Sequence, residues 1–196
     1  MLFRSGGAVI LGTPDSLASI PVRIRIASDS PDAFVVASRR IDGNEATVIA
    51  GNSDVAQLYG VFALLRYLST EGNPRQLDLE SFPKIKHRLL NHWDNLDRSV
   101  ERGYAGRSLW DWTTLPEYRD PRYTDYARAN ASIGINGAVI NNVNARAEIL
   151  TAGYIRKAAA LAEDPGAHGF SPGESDPLSF DEVTVSDATS LDVVAK

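Results

Sequence analysis

The feature that most constrains this chain is the order of its apolar and helix-like segments after residue 88. Apolar runs at 88–93 and 137–143 are each followed, after a loop, by a helical pattern, over 121–133 and 151–162. This order predicts two β-strand–helix units and a parallel sheet. Both runs end in polar residues, NHWDN and NNVN, at the strand ends where α/β folds place their ligands.

The first 86 residues predict a separate, smaller α/β domain. Compact apolar runs at 7–13, 33–38 and 46–51 predict strands, with a turn at Asp42-Gly43-Asn44 between the last two. Residues 21–27 alternate apolar and arginine side chains and predict a fourth, half-buried strand. Asn52-Ser53-Asp54 predicts the start of an amphipathic helix that covers one face of this sheet. We place the domain boundary at about residue 86.

Residues 163–196 differ from the rest of the chain. They carry eight acidic residues against a single base, Lys196, among many Pro, Gly and Ser. This composition predicts a divergent, disordered tail. The net charge of −5 lacks the basic face of a nucleic-acid-binding protein. No apolar run would span a membrane, and the lack of a visible signal peptide favours the cytoplasm while leaving the compartment open.

The stretch 88–106, RLLNHWDNLDRSVERGYAG, holds the densest group of polar and aromatic side chains. Trp93 is either a sugar-stacking platform or a partly buried ring at a structural corner. Asp97 and Glu101 could supply carboxyls for glycoside hydrolysis, but the neighbouring arginines favour structural ion pairs. Trp110 and Trp112 fit a ligand cleft and loop packing equally well.

Metal and cofactor sites find little support in the sequence. The chain has no cysteine, and its three histidines lack the spacing of metal ligands. Its glycine-rich stretches lack complete phosphate-binding fingerprints. We therefore expect neither a metal nor a cofactor.

Two long segments carry a family resemblance. NHWDNLDRSVERGYAG and DPRYTDYARANASIGINGAVINNVNA resemble the family 67 α-glucuronidases, and the similarity extends over about residues 6 to 162. The resemblance implies an N-terminal α/β sandwich domain (residues 1–86) and the truncated start of a (β/α)8 TIM barrel (residues 87–162). It also implies cofactor-free, inverting hydrolysis of the α-1,2 bond between (4-O-methyl)glucuronic acid and xylo-oligosaccharides.

The same resemblance assigns roles to single residues. Trp93 matches the aromatic platform under the glucuronic acid, and Val143 matches an apolar wall of that pocket. Asn91, Asp94 and Asn142 match supporting polar positions. The family's catalytic carboxylates belong to later barrel strands, so no residue of this chain is expected to be catalytic.

We accordingly expect an inactive part of an α-glucuronidase whose partners are glucuronoxylan-derived oligosaccharides. A family homodimer would require the missing C-terminal domain. Two alternatives remain: a non-catalytic uronate- or xylan-binding module, and a degenerate gene product without a role.

Overall fold

The structure is a computed structural model that describes residues 7–70, 73–141, 146–162, 182–187 and 190–194. The chain divides into two compact units, Met1–Lys86 and His87–Lys196. Both units mix helices with a β-sheet, so the chain is α/β. Within the described ranges, every helix is too short or too polar to cross a membrane.

The first unit is a four-stranded mixed sheet in the order β1-β3-β2-β4. Strand β1 runs parallel to β3, while β2 is antiparallel to both β3 and β4. A single 3-10 turn, Pro74–Gln76, precedes the last strand. The elements are β1 (Ala8–Gly12), α1 (Pro14–Leu17), β2 (Phe34–Ile41), β3 (Asn44–Gly51), α2 (Asp54–Thr70) and β4 (Asp78–Ser81).

The predicted turn between β2 and β3 is confirmed as a tight hairpin. Asp42 and Gly43 both have positive φ angles, of 49° and 82°. Two successive positive φ values match the right-handed twist of the strands, and short polar residues and glycine tolerate them best. The hairpin therefore fixes the register that pairs Phe34 with Gly51.

The predicted helix after β3 is also confirmed. The Ser53 hydroxyl accepts a hydrogen bond from the Ala56 backbone N–H at 3.1 Å, which caps the first turn of α2. The helix buries Tyr59, Gly60 and Leu64, and Gly60 lies directly against Ile49 of β3. The missing side chain at Gly60 lets the helix approach the sheet closely.

The prediction of a strand at residues 21–27 was wrong, although the alternation of apolar and arginine side chains was informative. This segment is irregular and belongs to neither sheet. Val22, Ile24 and Ile26 are partly buried against the core of the first unit, while the arginines between them are exposed. Period-two alternation reports an extended backbone with two unlike faces, and a strand also requires a neighbouring ladder.

The second unit contains a four-stranded sheet in the order β5-β6-β8-β7. Strands β5 and β6 are parallel, as their order in the sequence predicts. A one-turn 3-10 helix, Ala147–Leu150, follows β6 along the chain. The elements are β5 (Leu89–Asn91), α3 (Pro121–Ser132), β6 (Gly137–Val139), α4 (Ala152–Ala162), β7 (Glu182–Asp187) and β8 (Ser190–Val194).

Helix α3 begins and ends where the sequence predicts. The Asp120 carboxylate accepts from the Arg122 N–H at 3.0 Å, and Pro121 occupies the first turn. Gly134 follows the helix with a φ of +80°. Tyr123 and Asn130 are buried, whereas Ile133 is 64% exposed because it already lies beyond the last helical residue.

The structure differs from the disordered tail predicted at 163–196. Strands β7 and β8 lie in this range, and β8 pairs antiparallel with β6. The sequence between 182 and 194 is rich in valine, which favours extended structure and gives a physical reason for these strands. Residues 163–181, 188–189 and 195–196 of the predicted tail lie outside the described residues.

Candidate functional site

The side chains at the end of β5 lie alternately on an exposed and a buried side of the backbone. Trp93 is 45% exposed and Asn91 is also exposed, whereas His92 is partly buried and Asp94 is 4% exposed. Side chains alternate sides along an extended backbone, which puts residues 91 and 93 on one side and 92 and 94 on the other. The predicted polar group is therefore split: Asn91 and Trp93 face outward, and Asp94 faces inward.

The backbone on both sides of Trp93 is held by hydrogen bonds. The His92 N–H donates to the Val139 carbonyl at 2.9 Å, which extends the pairing of β5 with β6. The Glu101 N–H donates to the Trp93 carbonyl at 2.8 Å. Asp94 and Val100 form an isolated antiparallel bridge, so the following loop folds back onto the strand end.

The Asp94 carboxylate lies in a polar cluster below this strand end. It accepts a hydrogen bond from the Ser108 hydroxyl. The oxygen of that hydroxyl accepts in turn from the backbone N–H of Trp110 at 3.0 Å. The His92 Nδ1 atom lies 3.9 Å from the same carboxylate. These contacts compensate a carboxylate for its lost hydration, and burial without partners would be strongly unfavourable.

His92 connects this cluster to helix α3. Its Nε2 atom lies 2.6 Å from the Tyr126 hydroxyl, and its ring packs edge-on against both Trp110 and Tyr126. Burial lowers the pKa of His92 below its ordinary 6.5, and the nearby Asp94 charge only partly opposes this. Burial likewise raises the pKa of Tyr126. Both side chains are thus favoured in their neutral forms at neutral pH.

The partly buried Arg98 side chain stabilises the loop. It adopts a positive φ of 70°, and its guanidinium pairs with the Asp111 carboxylate and donates to the Ser108 carbonyl at 3.2 Å. Hydrogen bonds from the Thr113 hydroxyl lead the interactions that lower the pKa of Asp111. Asp111 therefore stays ionised beside its arginine.

Ion pairs were predicted for Asp97 and Glu101. Among the described residues, the ion pair of this loop instead joins Arg98 to Asp111. The Asp97 carboxylate accepts from the Ser99 hydroxyl at 2.6 Å and from the Ser99 N–H at 2.9 Å, and these bonds lower its pKa. Glu101 contributes to the loop through its backbone: its N–H donates to the Trp93 carbonyl, and its φ angle is positive, at 58°. The arginine pairs with Asp111 instead because the loop turns Arg98 inward.

The two readings of Trp110 and Trp112 are resolved in favour of packing. They are 4% and 1% exposed and belong to the core of the second unit. The remaining buried members of that core are Leu115, Tyr123, Ala138, Ile140, Ile149, Ala158, Leu161 and Ala162.

The end of β6 is only partly described. Ile140 and Asn141 are buried immediately after the strand, at 2% and 0% exposure. Asn142 and Val143, the other predicted members of the pocket, lie outside the described residues. The described part of the predicted site is therefore Asn91 and Trp93, with Asp94 behind them.

The polar connection from Asp94 through His92 to Tyr126 was not predicted from the sequence. Two signals could have revealed it. His92 and Asp94 are two residues apart on a strand end, and Tyr126 lies on the helix face that also carries Tyr123 and Asn130. Among the described residues, no group of three or more His, Asp or Glu side chains could hold a metal ion.

The described geometry suits recognition of a flat ligand better than bond cleavage. A half-exposed indole beside an amide provides an apolar face and a hydrogen-bonding group. A glycoside hydrolase needs one carboxyl that is protonated at its working pH. Asp97 and Asp111, the loop carboxyls with a shifted pKa, are both shifted downward, which favours the ionised form.

Known proteins are similar to this chain over most of its length. A probable alpha-glucuronidase A from Aspergillus terreus is 40% identical over 130 residues, which cover 65% of this chain and 15% of that protein. A probable alpha-glucuronidase A from Neosartorya fischeri is 30% identical over 168 residues, or 86% of this chain and 20% of its own length. The alpha-glucuronidase A of Emericella nidulans is 36% identical over 135 residues, 16% of its length. The chain thus spans a fifth or less of these relatives.

A protein family matches the chain as well. Residues 67–171, more than half of the chain, match the glycosyl hydrolase family 67 middle domain. The match runs past Ala162, where the sequence resemblance was expected to end, and it includes β5, the Trp93 loop and α3 to α4. The chain accordingly belongs to glycosyl hydrolase family 67, a family of glycoside hydrolases.

Proposed function

We propose that this chain supplies one wall of a glucuronic-acid pocket used in α-glucuronidase chemistry. The reaction would be inverting hydrolysis of the α-1,2 bond between (4-O-methyl)glucuronic acid and xylo-oligosaccharides. The residues 87–162 would form the start of a (β/α)8 barrel, with the pocket at the carboxyl ends of β5 and β6. The names of the similar proteins and the parallel pairing of these strands support the proposal.

The observation that carries the proposal is the exposed Trp93 ring on a fixed backbone, with Asn91 on the same side. A pyranose ring presents an apolar face formed by its C–H groups and a polar edge of hydroxyls. An indole covers the apolar face, and an adjacent amide can bond the edge. We assign Trp93 and Asn91 to ligand contact and leave Asn142 and Val143 as proposed members of the same pocket.

We propose that this chain alone binds without cleaving. Asp94 is buried, and the pKa values of Asp97 and Asp111 are lowered by hydrogen bonds from serine and threonine. A lowered pKa is the opposite of what a general acid needs, so Asp97 and Asp111 are unsuited to that role, and Asp94 is turned away from the ligand-facing side.

Binding can be measured by calorimetric titration with glucuronic acid and with aldotetraouronic acid. We expect heat of binding from the wild-type chain and a loss of affinity of about tenfold or more in Trp93→Ala, equivalent to about 1.4 kcal/mol or more. Tyr104→Ala is the matched control, since it removes another exposed ring, 75% exposed, from the same loop region. Equal affinity of the wild type and Trp93→Ala would contradict the proposed platform.

Hydrolysis needs a separate assay. The chain is incubated with aldotetraouronic acid, and released glucuronate is compared with a reaction lacking protein. We expect no release above that background. Release that survives in repeated preparations would show that the chain itself holds the catalytic groups.

The alternative of a non-catalytic xylan-binding module makes a different prediction. Such a module would bind undecorated xylo-oligosaccharides as well as those carrying glucuronate. The proposed pocket requires the uronate, so xylotetraose should give no heat. Comparable heats for the two ligands would favour the module.

A further inference from the structure

A buried acidic residue stands directly behind the exposed ring of the site. Asp94 follows Trp93 in the chain, yet its carboxylate is on the opposite side of the strand and is only 4% exposed. A carboxylate in that position cannot touch a ligand lying on the outer face of Trp93. Its contacts are with the protein: the Ser108 hydroxyl and, at 3.9 Å, the His92 ring.

These contacts join three separate parts of the second unit at one point. Ser108 lies at the far end of the loop. Its hydroxyl oxygen also accepts from the backbone N–H of Trp110, whose ring belongs to the core. His92 reaches helix α3 through the Tyr126 hydroxyl, at 2.6 Å. The strand end, the loop and the helix are thereby tied to each other beneath Trp93.

Trp93 is consequently held through its neighbours rather than through its own ring. The N–H of His92 is bonded to β6, the carbonyl of Trp93 accepts from Glu101, and the side chain of Asp94 is bonded to Ser108. The indole itself is half-exposed and has free surface for a ligand. A ring carried on a backbone fixed in this way loses less freedom when a ligand stacks on it than a ring on a mobile loop, and such preorganisation increases affinity.

We propose that Asp94 and His92 are positioning residues for the Trp93 platform, acting through Ser108 and Tyr126 and not through contact with the ligand. This inference rests on the proposed function, because the orientation that they fix is the one in which Trp93 would receive a uronate. It also makes the role of Asp94 specific, since the family resemblance alone counts Asp94 only among the supporting polar residues of the pocket.

The test measures ring accessibility and ligand affinity in the same variants. The ring is followed by acrylamide quenching of tryptophan fluorescence; Trp110 and Trp112 are buried, so the quenchable signal belongs to Trp93, and Trp93→Phe supplies the baseline. Affinity for glucuronic acid is measured by calorimetry, and circular dichroism with thermal melting verifies that each variant is folded at the assay temperature.

We expect Asp94→Ala and Ser108→Ala to raise the quenching constant of Trp93 by about twofold and to weaken glucuronic acid binding by about fivefold or more. Asp94→Asn keeps an acceptor for the Ser108 hydroxyl and should restore most of both values. Tyr126→Phe removes the hydroxyl that links His92 to α3, together with its hydrogen bond to Asn130, and should show a smaller change of the same sign. Asp97→Ala, which removes an exposed carboxylate from the same loop, should change neither readout.

Several results would overturn the proposal. Folded variants with a lower melting temperature but wild-type quenching and affinity would give Asp94 a purely structural role. Lost affinity with unchanged quenching would mean that Asp94 contacts the ligand directly. If Asp94→Ala does not fold, Ser108→Ala and Tyr126→Phe decide the question by the same two readouts.

The design also separates the two proposals. A wild-type chain that binds no uronate would contradict the proposed function, while the quenching constants would still report whether Asp94 positions the ring. Unchanged quenching in every folded variant would contradict the positioning role even if the wild type binds uronate.

Discussion

At the scale of single residues, His92 is a titratable side chain enclosed by other groups of the candidate site. It lies between the Asp94 carboxylate, the Tyr126 hydroxyl and the face of Trp110. Burial outweighs the attraction of Asp94 and lowers its pKa. The folded chain therefore takes up a proton on His92 less readily than the unfolded chain does.

This difference predicts a pH dependence of stability. Because the pKa of His92 in the folded chain lies below its unfolded value of 6.5, His92 does not reduce the free energy of unfolding above that pH. The stability is then lost progressively as the pH falls through 6.5 toward the folded pKa, because the unfolded state binds more protons. Thermal unfolding between about pH 7.5 and about pH 5 should show a smaller loss in His92→Gln than in the wild type. Identical pH slopes would contradict a buried, neutral His92.

Residue types alone did not predict which side chains at the end of β5 face inward. The sequence groups Asn91, His92 and Asp94 as one polar strand end, and the alternation of a strand separates them onto two sides. Which side faces inward depends on where the loop through Ser108 returns. That return joins residues 14 positions apart, and local patterns contain no signal for it.

At the scale of elements, segments with chemical boundary signals were the most predictable. The Asp42-Gly43 turn, the Ser53 cap of α2 and the Asp120-Pro121 start of α3 each depend on a few adjacent residues. The strand predicted at 21–27 was wrong because none of the segments that the structure describes pairs with it, which is a property of the tertiary arrangement. The fold-level prediction of parallel β5 and β6 succeeded because a helix lies between them along the chain.

The contact between α2 and its sheet predicts opposite effects for two glycine substitutions. A Cβ at Gly60 would lie 2.6 Å from the Ile49 Cγ2 atom, and Ile49 is buried and branched at Cβ. Gly60→Ala should therefore destabilise the chain by about 1–3 kcal/mol, despite the better helix propensity of alanine. Thermal or urea unfolding monitored by circular dichroism measures the change.

Gly153 in the first turn of α4 is the matched control. A Cβ there would have only the Thr151 Oγ1 atom nearby, at 3.9 Å. Gly153→Ala should stabilise by about 0.5–1 kcal/mol, since it gains propensity without a clash. A stabilising Gly60→Ala would show that α2 can move away from β3 at no cost.

At the scale of the whole molecule, the chain is two units joined by a short irregular segment. No helix or strand is found between Ser81 of β4 and Leu89 of β5, and both Lys84 and Lys86 are exposed. Irregular, exposed chain is the preferred substrate of proteases because it can enter their active sites in extended form.

Limited trypsin digestion should therefore cut early after Lys84 or Lys86, and a cut there separates the two units. Mass spectrometry identifies this cut by its fragments and distinguishes it from cuts at the exposed arginines of other irregular segments, such as Arg23 and Arg25, while residues 163–195 contain no lysine or arginine. A Lys84→Gln/Lys86→Gln double variant should resist the cut between the units. Early cleavage within α2 or α3 would instead mean that a unit opens before the connection is attacked.

The three tryptophans have a further consequence for spectroscopy. Trp110 and Trp112 are buried in the core of the second unit, while Trp93 is half-exposed at its edge. In a proton NMR spectrum the indole N–H signals of the two buried rings should exchange with D2O slowly, on the time scale of unfolding. The Trp93 signal should exchange quickly, so one small region of the spectrum reports separately on the integrity of the core and on the state of the ligand-facing edge.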